Sequence, residues 1–239
     1  MQRNTGKTIQ AEIEKAFFIL QRDPVLLTSS SRTDAGVHAL QNFFHFDTMH
    51  PLHLWKGTGG GGEAQFVYKM NAILPGDIVI KKLVPVKEDA HCRFDAISRE
   101  YKYFIYRHKD PFLKERAFYF PYKLDVEKLN EAAAVVKGYT DFTSFSKRNT
   151  QVKTFICDII ESSWMREDNC LVYSVKGNRF LRGMVRALTA TMLKIGRNKM
   201  SLEEFHHVIL AKDCTKASFA VPPHGLFLVA VNFPSNYFQ

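Results

Sequence analysis

The chain has 239 residues, of which 46% are hydrophobic and 13% aromatic, with 20 Phe and 9 Tyr. That composition belongs to a protein with a sizeable packed core and excludes a low-complexity or disordered chain. Lys and Arg number 33 against 24 Asp and Glu, a net charge of +9, which points to a polyanionic partner with nucleic acid first in line. The four cysteines at 92, 157, 170 and 214 form no CxxC pair, so neither a disulfide framework nor a Cys-based zinc site is expected. The first residues lack the apolar stretch of a signal peptide, and no run approaches the roughly 18 apolar residues of a membrane span. A soluble, cytoplasmic protein is the expectation.

Ile9, Ile13, Ala16, Phe17 and Leu20 recur at helical spacing behind Thr8, which predicts an amphipathic helix with a threonine cap. Strands are expected over 25–29 and 39–47, with the polar, glycine-containing segment SSSRTDAG between them. A helix over 65–73 and an Ile- and Val-rich strand over 77–86 follow. The stretch 99–107 reads as a strand with Tyr101, Tyr103 and Ile105 on one face and Lys102, Phe104 and Tyr106 on the other. A helix over 126–137 is capped by Asp125 and stopped by Gly138. Strands over 152–164 and 171–176 pair around a turn at 166–169, and a long helix runs from about residue 178 to Ile195, closed by Gly196. Ser201 and Glu204 form a capping box for a short helix, and 226–232 is the last strand.

The second part therefore reads β-α-β-β-α-β with a small inserted helix, the split β-α-β order of ferredoxin-like domains, and the first part repeats it without an opening strand. This predicts an α+β protein of two ferredoxin-like, RRM-like halves joined into one mostly antiparallel sheet, whose faces could carry RNA. The join is expected near residues 85–91, giving halves at 1–88 and 89–239. The absent strand suggests that Met1 is not the natural start.

The most informative stretch is RTDAGVHA at 32–39, which brings an arginine, an aspartate and a glycine together in a loop entering a strand. Taken alone it describes an Asx-type turn with a surface arginine. Six further segments follow in order: MNAILPGDI at 70–78, HCRFDA at 91–96, REYKY at 99–103, GYTDFTSF at 138–145, GNRFLRGMVR at 177–186 and PHGLFL at 223–228. Together the seven resemble the motifs of the tRNA pseudouridine synthase A (TruA) family over nearly the whole chain. Ser31 stands where many members have glycine, and Pro223 and His224 where an Ala-Pro pair is usual. Family members also carry an opening strand and a Gly-rich segment before the position of Met1.

The resemblance implies a pseudouridine synthase fold with a central active-site cleft, and an enzyme that isomerises uridine at positions 38, 39 and 40 of the tRNA anticodon stem-loop. That reaction breaks the N1–C1′ bond, turns the uracil and joins C5 to C1′ without redox change, so no cofactor and no metal is expected. An ionised carboxylate is the minimum catalytic group, and the resemblance assigns it to Asp34. Whether it attacks C1′ or C6, or abstracts the 2′ proton, stays open. Arg186 is implied as the cation that keeps Asp34 charged, and Tyr101 as the ring that stacks on uracil and assists proton removal at C5. The predicted long helix would align Arg179, Arg182 and Arg186 on one basic, RNA-binding face opposite a packed one. Arg32 is expected to fill the gap left by the flipped nucleotide or to hold its phosphate, and Leu226 and Leu228 to wall the uracil pocket. The family is further expected to act as a homodimer, with one tRNA touching both subunits.

Two other clusters lack the spacing of a binding site. His38, His45, His50 and His53 with Asp47 fit no metal-ligand spacing. The run Lys56 to Gly62 lacks the Lys-Ser/Thr that closes a phosphate-binding loop. The competing functions are an RNA-binding module without catalysis and a synthase acting on another RNA.

Overall fold

The computed structural model describes residues 8–48, 62–148 and 152–238. Helix α1 (Ile9–Gln21) starts where the Thr8 side chain accepts a hydrogen bond from the Ala11 N–H, and it ends where Arg22 turns left-handed. Three two-residue strands follow, β1 (Thr28–Ser29), β2 (His38–Ala39) and β3 (Phe44–His45), then α2 (Gly62–Ile73). The rest of the chain forms β4 (Ser98–Tyr106), β5 (Phe118–Tyr119), α3 (Val126–Val136), β6 (Ile159–Glu167), β7 (Cys170–Gly177), α4 (Met184–Gly196), α5 (Leu202–Leu210) and β8 (Leu226–Asn232). The class is α+β with a mostly antiparallel sheet.

Backbone packing separates two compact units. One takes the described residues of Met1–Ser31, Phe43–Asp95 and Phe233–Gln239, and the other takes Arg32–Asn42 and Ala96–Asn232. The main chain thus enters the second unit at 95/96, a few residues past the join expected at 85–91, and 32–42 and 233–239 cross separately.

In the first unit β1 pairs antiparallel with β3, and Ile13, Phe17, Leu27, Phe66 and Met70 make the core. Two expectations are corrected here. The strand predicted over 39–47 is two pieces, β2 and β3, which belong to different sheets. The strand predicted over 77–86 does not form: the Ile80 N–H donates to Asn71 Oδ1 at 2.8 Å, and Asn71 Nδ2 donates to the Ile80 carbonyl at 2.9 Å. One side chain from α2 thereby takes both groups that a neighbouring strand would need. Ile78, Ile80 and Leu83 still pack on the core, which explains their apolar character.

The second unit carries a sheet in the order β2-β8-β4-β7-β6, with β5 beside the far end of β4. Tyr101, Tyr103 and Ile105 are buried, as the alternation along β4 predicts. Helix α3 starts where the Asp125 carboxylate accepts from the Glu127 and Lys128 N–H groups, and it packs against β6 and α4. Its Asn130 accepts from the Trp164 N–H at 2.8 Å and donates to the Trp164 carbonyl at 3.0 Å, covering part of the β6 edge. The capping box of α5 is complete.

Two further boundaries are corrected. The β6–β7 hairpin is tighter than predicted: both strands run up to a two-residue connection in which Asp168 has φ 48°, whereas 152–158 stay outside the sheet. Helix α4 begins at Met184, not near residue 178, because Asn178 is bound elsewhere and Gly183 turns left-handed at φ 78° before the first turn. Asn178 is tied to Asp158 by three hydrogen bonds, and its carbonyl accepts from Arg99. Arg179 and Arg182 therefore precede the helix, and the three-arginine helical face does not exist.

Candidate active site

Asp34 lies four residues before β2, whose parallel pairing with β8 sets His38 opposite Phe227 and Ala39 opposite Leu228. The loop entering β2 and the loop entering β8 are thus brought side by side. A tight turn closes the first, with the Val37 N–H donating to the Asp34 carbonyl at 3.2 Å and Gly36 at φ 78°. A Cβ on Gly36 would come within 3.0 Å of Pro223 Cγ, so the turn rests directly on the second loop. That loop is fixed from behind. Tyr103 Oη donates to the Pro222 carbonyl at 2.7 Å, and Arg186 Nε and Nη2 donate to the Val221 carbonyl at 3.0 and 2.7 Å.

Three cations surround the Asp34 carboxylate. Lys147 Nζ donates to Oδ2 at 3.0 Å, Arg186 Nη1 approaches the same oxygen at 3.4 Å, and Arg182 Nε stands 3.6 Å from Oδ1. The Asp34 side chain is only 19% exposed. Burial pushes its pKa up, but the hydrogen bond and charge of Lys147, then the charges of Arg186 and Arg182, more than reverse this, so the carboxyl lies below the ordinary aspartate value. The result is a sheltered carboxylate that stays ionised at neutral pH.

Tyr101 stands opposite Leu228 on β4, next to a bulge in the β4–β8 pairing between Glu100 and Tyr101. Its ring meets Phe180 edge to face at 5.1 Å. Burial raises its phenol to about 12, with Asp34 adding to the rise and Arg99 opposing it, so the hydroxyl stays protonated at neutral pH. Leu226 and Leu228 are buried beside Tyr103 and Tyr101. Arg32 is exposed, and Arg179 is half-buried. All these residues belong to the second unit.

Lys147 was missed by sequence reasoning. It falls two residues past the GYTDFTSF segment, and nothing in its neighbours separates it from a surface lysine. Beside it opens a cleft of about 290 Å³ lined by Thr143, Ser146, Lys147, Arg148, Phe155, Lys212, Asp213 and Cys214.

The histidines have other partners. His38 stacks on Phe227 at 4.5 Å and bonds the Glu115 carbonyl, whereas His45 contacts the Cys92 thiol at 3.1 Å. His50, His53 and the 56–61 stretch lie outside the described residues. Among the described residues no group of three His, Cys, Asp or Glu side chains is placed to hold a metal, and no helix is long and apolar enough to cross a membrane. All four cysteines are free.

Residues 132–234 match the family described as tRNA pseudouridine synthase. Proteins named tRNA pseudouridine synthase A are similar along nearly the whole chain. The one from Parabacteroides distasonis is 45% identical over 98% of this chain and 89% of its own length. Those from Porphyromonas gingivalis and Staphylococcus saprophyticus are 41% and 37% identical, each over 97% of this chain, and over 90% and 84% of their own lengths.

Proposed function

The chain belongs to the tRNA pseudouridine synthase A family, and we propose that it isomerises uridine to pseudouridine at positions 38, 39 and 40 of the tRNA anticodon stem-loop with Asp34 as the essential carboxylate. The observation that carries this reading is the Asp34 carboxylate itself: sheltered, ionised, and held by three cations in a loop braced against the turn before β8. The isomerisation needs one ionised group to form or stabilise the glycosyl intermediate after the N1–C1′ bond breaks, and an aspartate of lowered pKa supplies it across the physiological range.

Around it the other residues take complementary roles. Tyr101, with its protonated hydroxyl, faces the uracil and relays the C5 proton, while Leu226 and Leu228 form the apolar wall beside it. Arg32, exposed two residues before Asp34, holds the phosphate of the flipped nucleotide or fills its place in the stack. Arg179 and Arg182 contact the RNA backbone from the loop ahead of α4. The net charge of +9 supports an RNA partner read mainly through phosphates and shape.

The strand order β8-β4-β7-β6 with α3 and α4 supports a ferredoxin-like reading of the 89–239 half, and the 1–88 half is read as a reduced copy. A homodimer and a cytoplasmic location complete the proposal. The test is to incubate the purified protein with an unmodified tRNA transcript carrying uridines at 38, 39 and 40, and at other stem positions, and to map pseudouridine by residue. Conversion confined to those three positions is expected, and conversion elsewhere overturns the assigned substrate position.

A further inference from the structure

We propose that Arg148, tethered to Cys214 in the cleft beside Lys147, binds the phosphate of a nucleotide next to the target uridine. The inference deepens the reading of Asp34 given above and rests on it, and every residue involved belongs to the second unit. The cleft adjoins the carboxylate: Lys147 lines it and also donates from Nζ to Asp34 Oδ2 at 3.0 Å. An RNA strand whose flipped uridine meets Asp34 therefore passes the cleft with a neighbouring nucleotide. The walls are joined to each other without any RNA. The Asp213 N–H donates to Oγ of the fully buried Ser144 at 3.0 Å, and Lys212 Nζ stands 2.9 Å from Asp141 Oδ2, so 212–214 is fastened to the 141–148 segment.

The charges in the cleft single out one side chain. Of its three cations, Lys147 is paired with Asp34 and Lys212 with Asp141. The lining carboxylate, Asp213, is turned into its own loop, where it accepts from the Thr215 N–H at 2.8 Å and from the Thr215 hydroxyl at 2.7 Å. Arg148 is different. Its Nε donates to Cys214 Sγ at 3.3 Å, and among the described residues its two Nη groups have no hydrogen-bond acceptor and no carboxylate at ion-pair distance. A thiol is a weak and uncharged acceptor, so this tether orients the guanidinium without neutralising it. The Nη pair is left as an open fork, the geometry that matches two oxygens of one phosphate. Arg148 and Cys214 both lie outside the seven motif segments, so this contact belongs to the chain's own sequence and not to the resemblance.

The test measures tRNA affinity by filter binding over a range of salt, with turnover measured in parallel and thermal unfolding to verify that each variant is folded. Arg148→Met should weaken binding about tenfold and reduce the slope of log affinity on log salt by about 1. Arg148→Lys, which keeps the charge and loses the fork, should recover the slope but only part of the affinity. Cys214→Ala should give a smaller loss that disappears in the Arg148→Met background, since the thiol acts only through the arginine. Two tRNAs are then compared, each with one uncharged methylphosphonate, placed on the 5′ or the 3′ side of the target uridine. One of them should bind the wild-type protein as weakly as Arg148→Met binds ordinary tRNA, and it should bind Arg148→Met no more weakly than ordinary tRNA does. Unchanged affinity and slope in folded Arg148→Met overturn the proposal. So do losses from both methylphosphonates that simply add to that of Arg148→Met, which place the arginine elsewhere on the RNA. Should the wild-type protein make no pseudouridine while the methylphosphonate and Arg148→Met still fail to add, the catalytic reading falls and the phosphate site stands; normal turnover with additive losses is the reverse.

Discussion

Replacing Gly36 by alanine tests whether the turn between Asp34 and Val37 sets the position of the carboxylate. At φ 78°, Gly36 occupies a left-handed conformation, which costs an alanine about 1–2 kcal/mol. The alanine also restricts the unfolded chain, which returns roughly 0.4–1 kcal/mol, so the backbone effect alone is a net loss near 1 kcal/mol. The new Cβ would then sit 3.0 Å from Pro223 Cγ, tighter than ordinary contact by a few tenths of an ångström. The second loop cannot easily give way, because the Val221 and Pro222 carbonyls are held by Arg186 and Tyr103. The displacement therefore falls on the turn, and moves Asp34 relative to Lys147. For a chain of this size about 1 kcal/mol lowers Tm by roughly 2–4 °C. A shift of a few tenths of an ångström in the reacting group should lower kcat by about tenfold, given that roughly 1 Å can cost about 10²-fold. Circular dichroism melting gives the first figure. Tritium release from C5-labelled uridine in tRNA gives the second, because the C5 hydrogen is lost when C5 bonds to C1′. Adding Pro223→Ala removes the clashing Cγ and should recover activity more than stability. A Gly36→Ala protein with wild-type Tm and turnover would refute the reasoning, as would a double variant no more active than the single one.

Tyr103→Phe should lower stability by about 1–2 kcal/mol, since it leaves the Pro222 carbonyl without its 2.7 Å donor; an unchanged thermal midpoint contradicts this. The buried phenols make the fold sensitive to alkali. Tyr101 titrates at about 12 when folded and near 10 when unfolded, so the unfolded chain releases its proton first, and stability falls as pH rises through that window. The urea midpoint should drop between about pH 9 and pH 11.5, by less in Tyr101→Phe, and equal drops in the two proteins would discount Tyr101. Affinity for tRNA should fall steeply with salt, with a smaller slope for Arg32→Ala if its guanidinium meets a phosphate; an affinity independent of salt would remove RNA as the partner.

The parts of the fold that were legible in the sequence are those with a local chemical signal. Thr8, Asp125 and the Ser201–Glu204 pair each cap their helix with side-chain oxygens, as their spacing predicts. The final strand runs over Leu226–Asn232, as its pattern suggests. The errors arise where a non-local partner decides. Residues 77–86 carry strand-like composition, yet Asn71 takes the backbone groups of Ile80. Gly183 sits within an apolar repeat that looks continuous through it, and the bonds between Asn178 and Asp158, with the left-handed turn at Gly183, keep the preceding residues out of the helix. Asp34 and Arg186 were recognisable from their motifs, and the structure places them 3.4 Å apart. Lys147 was not, because its distinction is the space above Gly183 and not any feature of its neighbours in sequence.

The central claim is that Asp34 supplies the catalytic carboxylate rather than merely a fold contact, and Asp34→Asn tests it most directly. The substitution removes the charge while keeping nearly the same shape. Pseudouridine formation in tRNA and filter binding of the same tRNA are measured on the same preparation. The account predicts no detectable pseudouridine together with unchanged or slightly tighter binding, because losing a negative charge favours the approach of phosphate. Turnover by Asp34→Asn at the wild-type rate would contradict it.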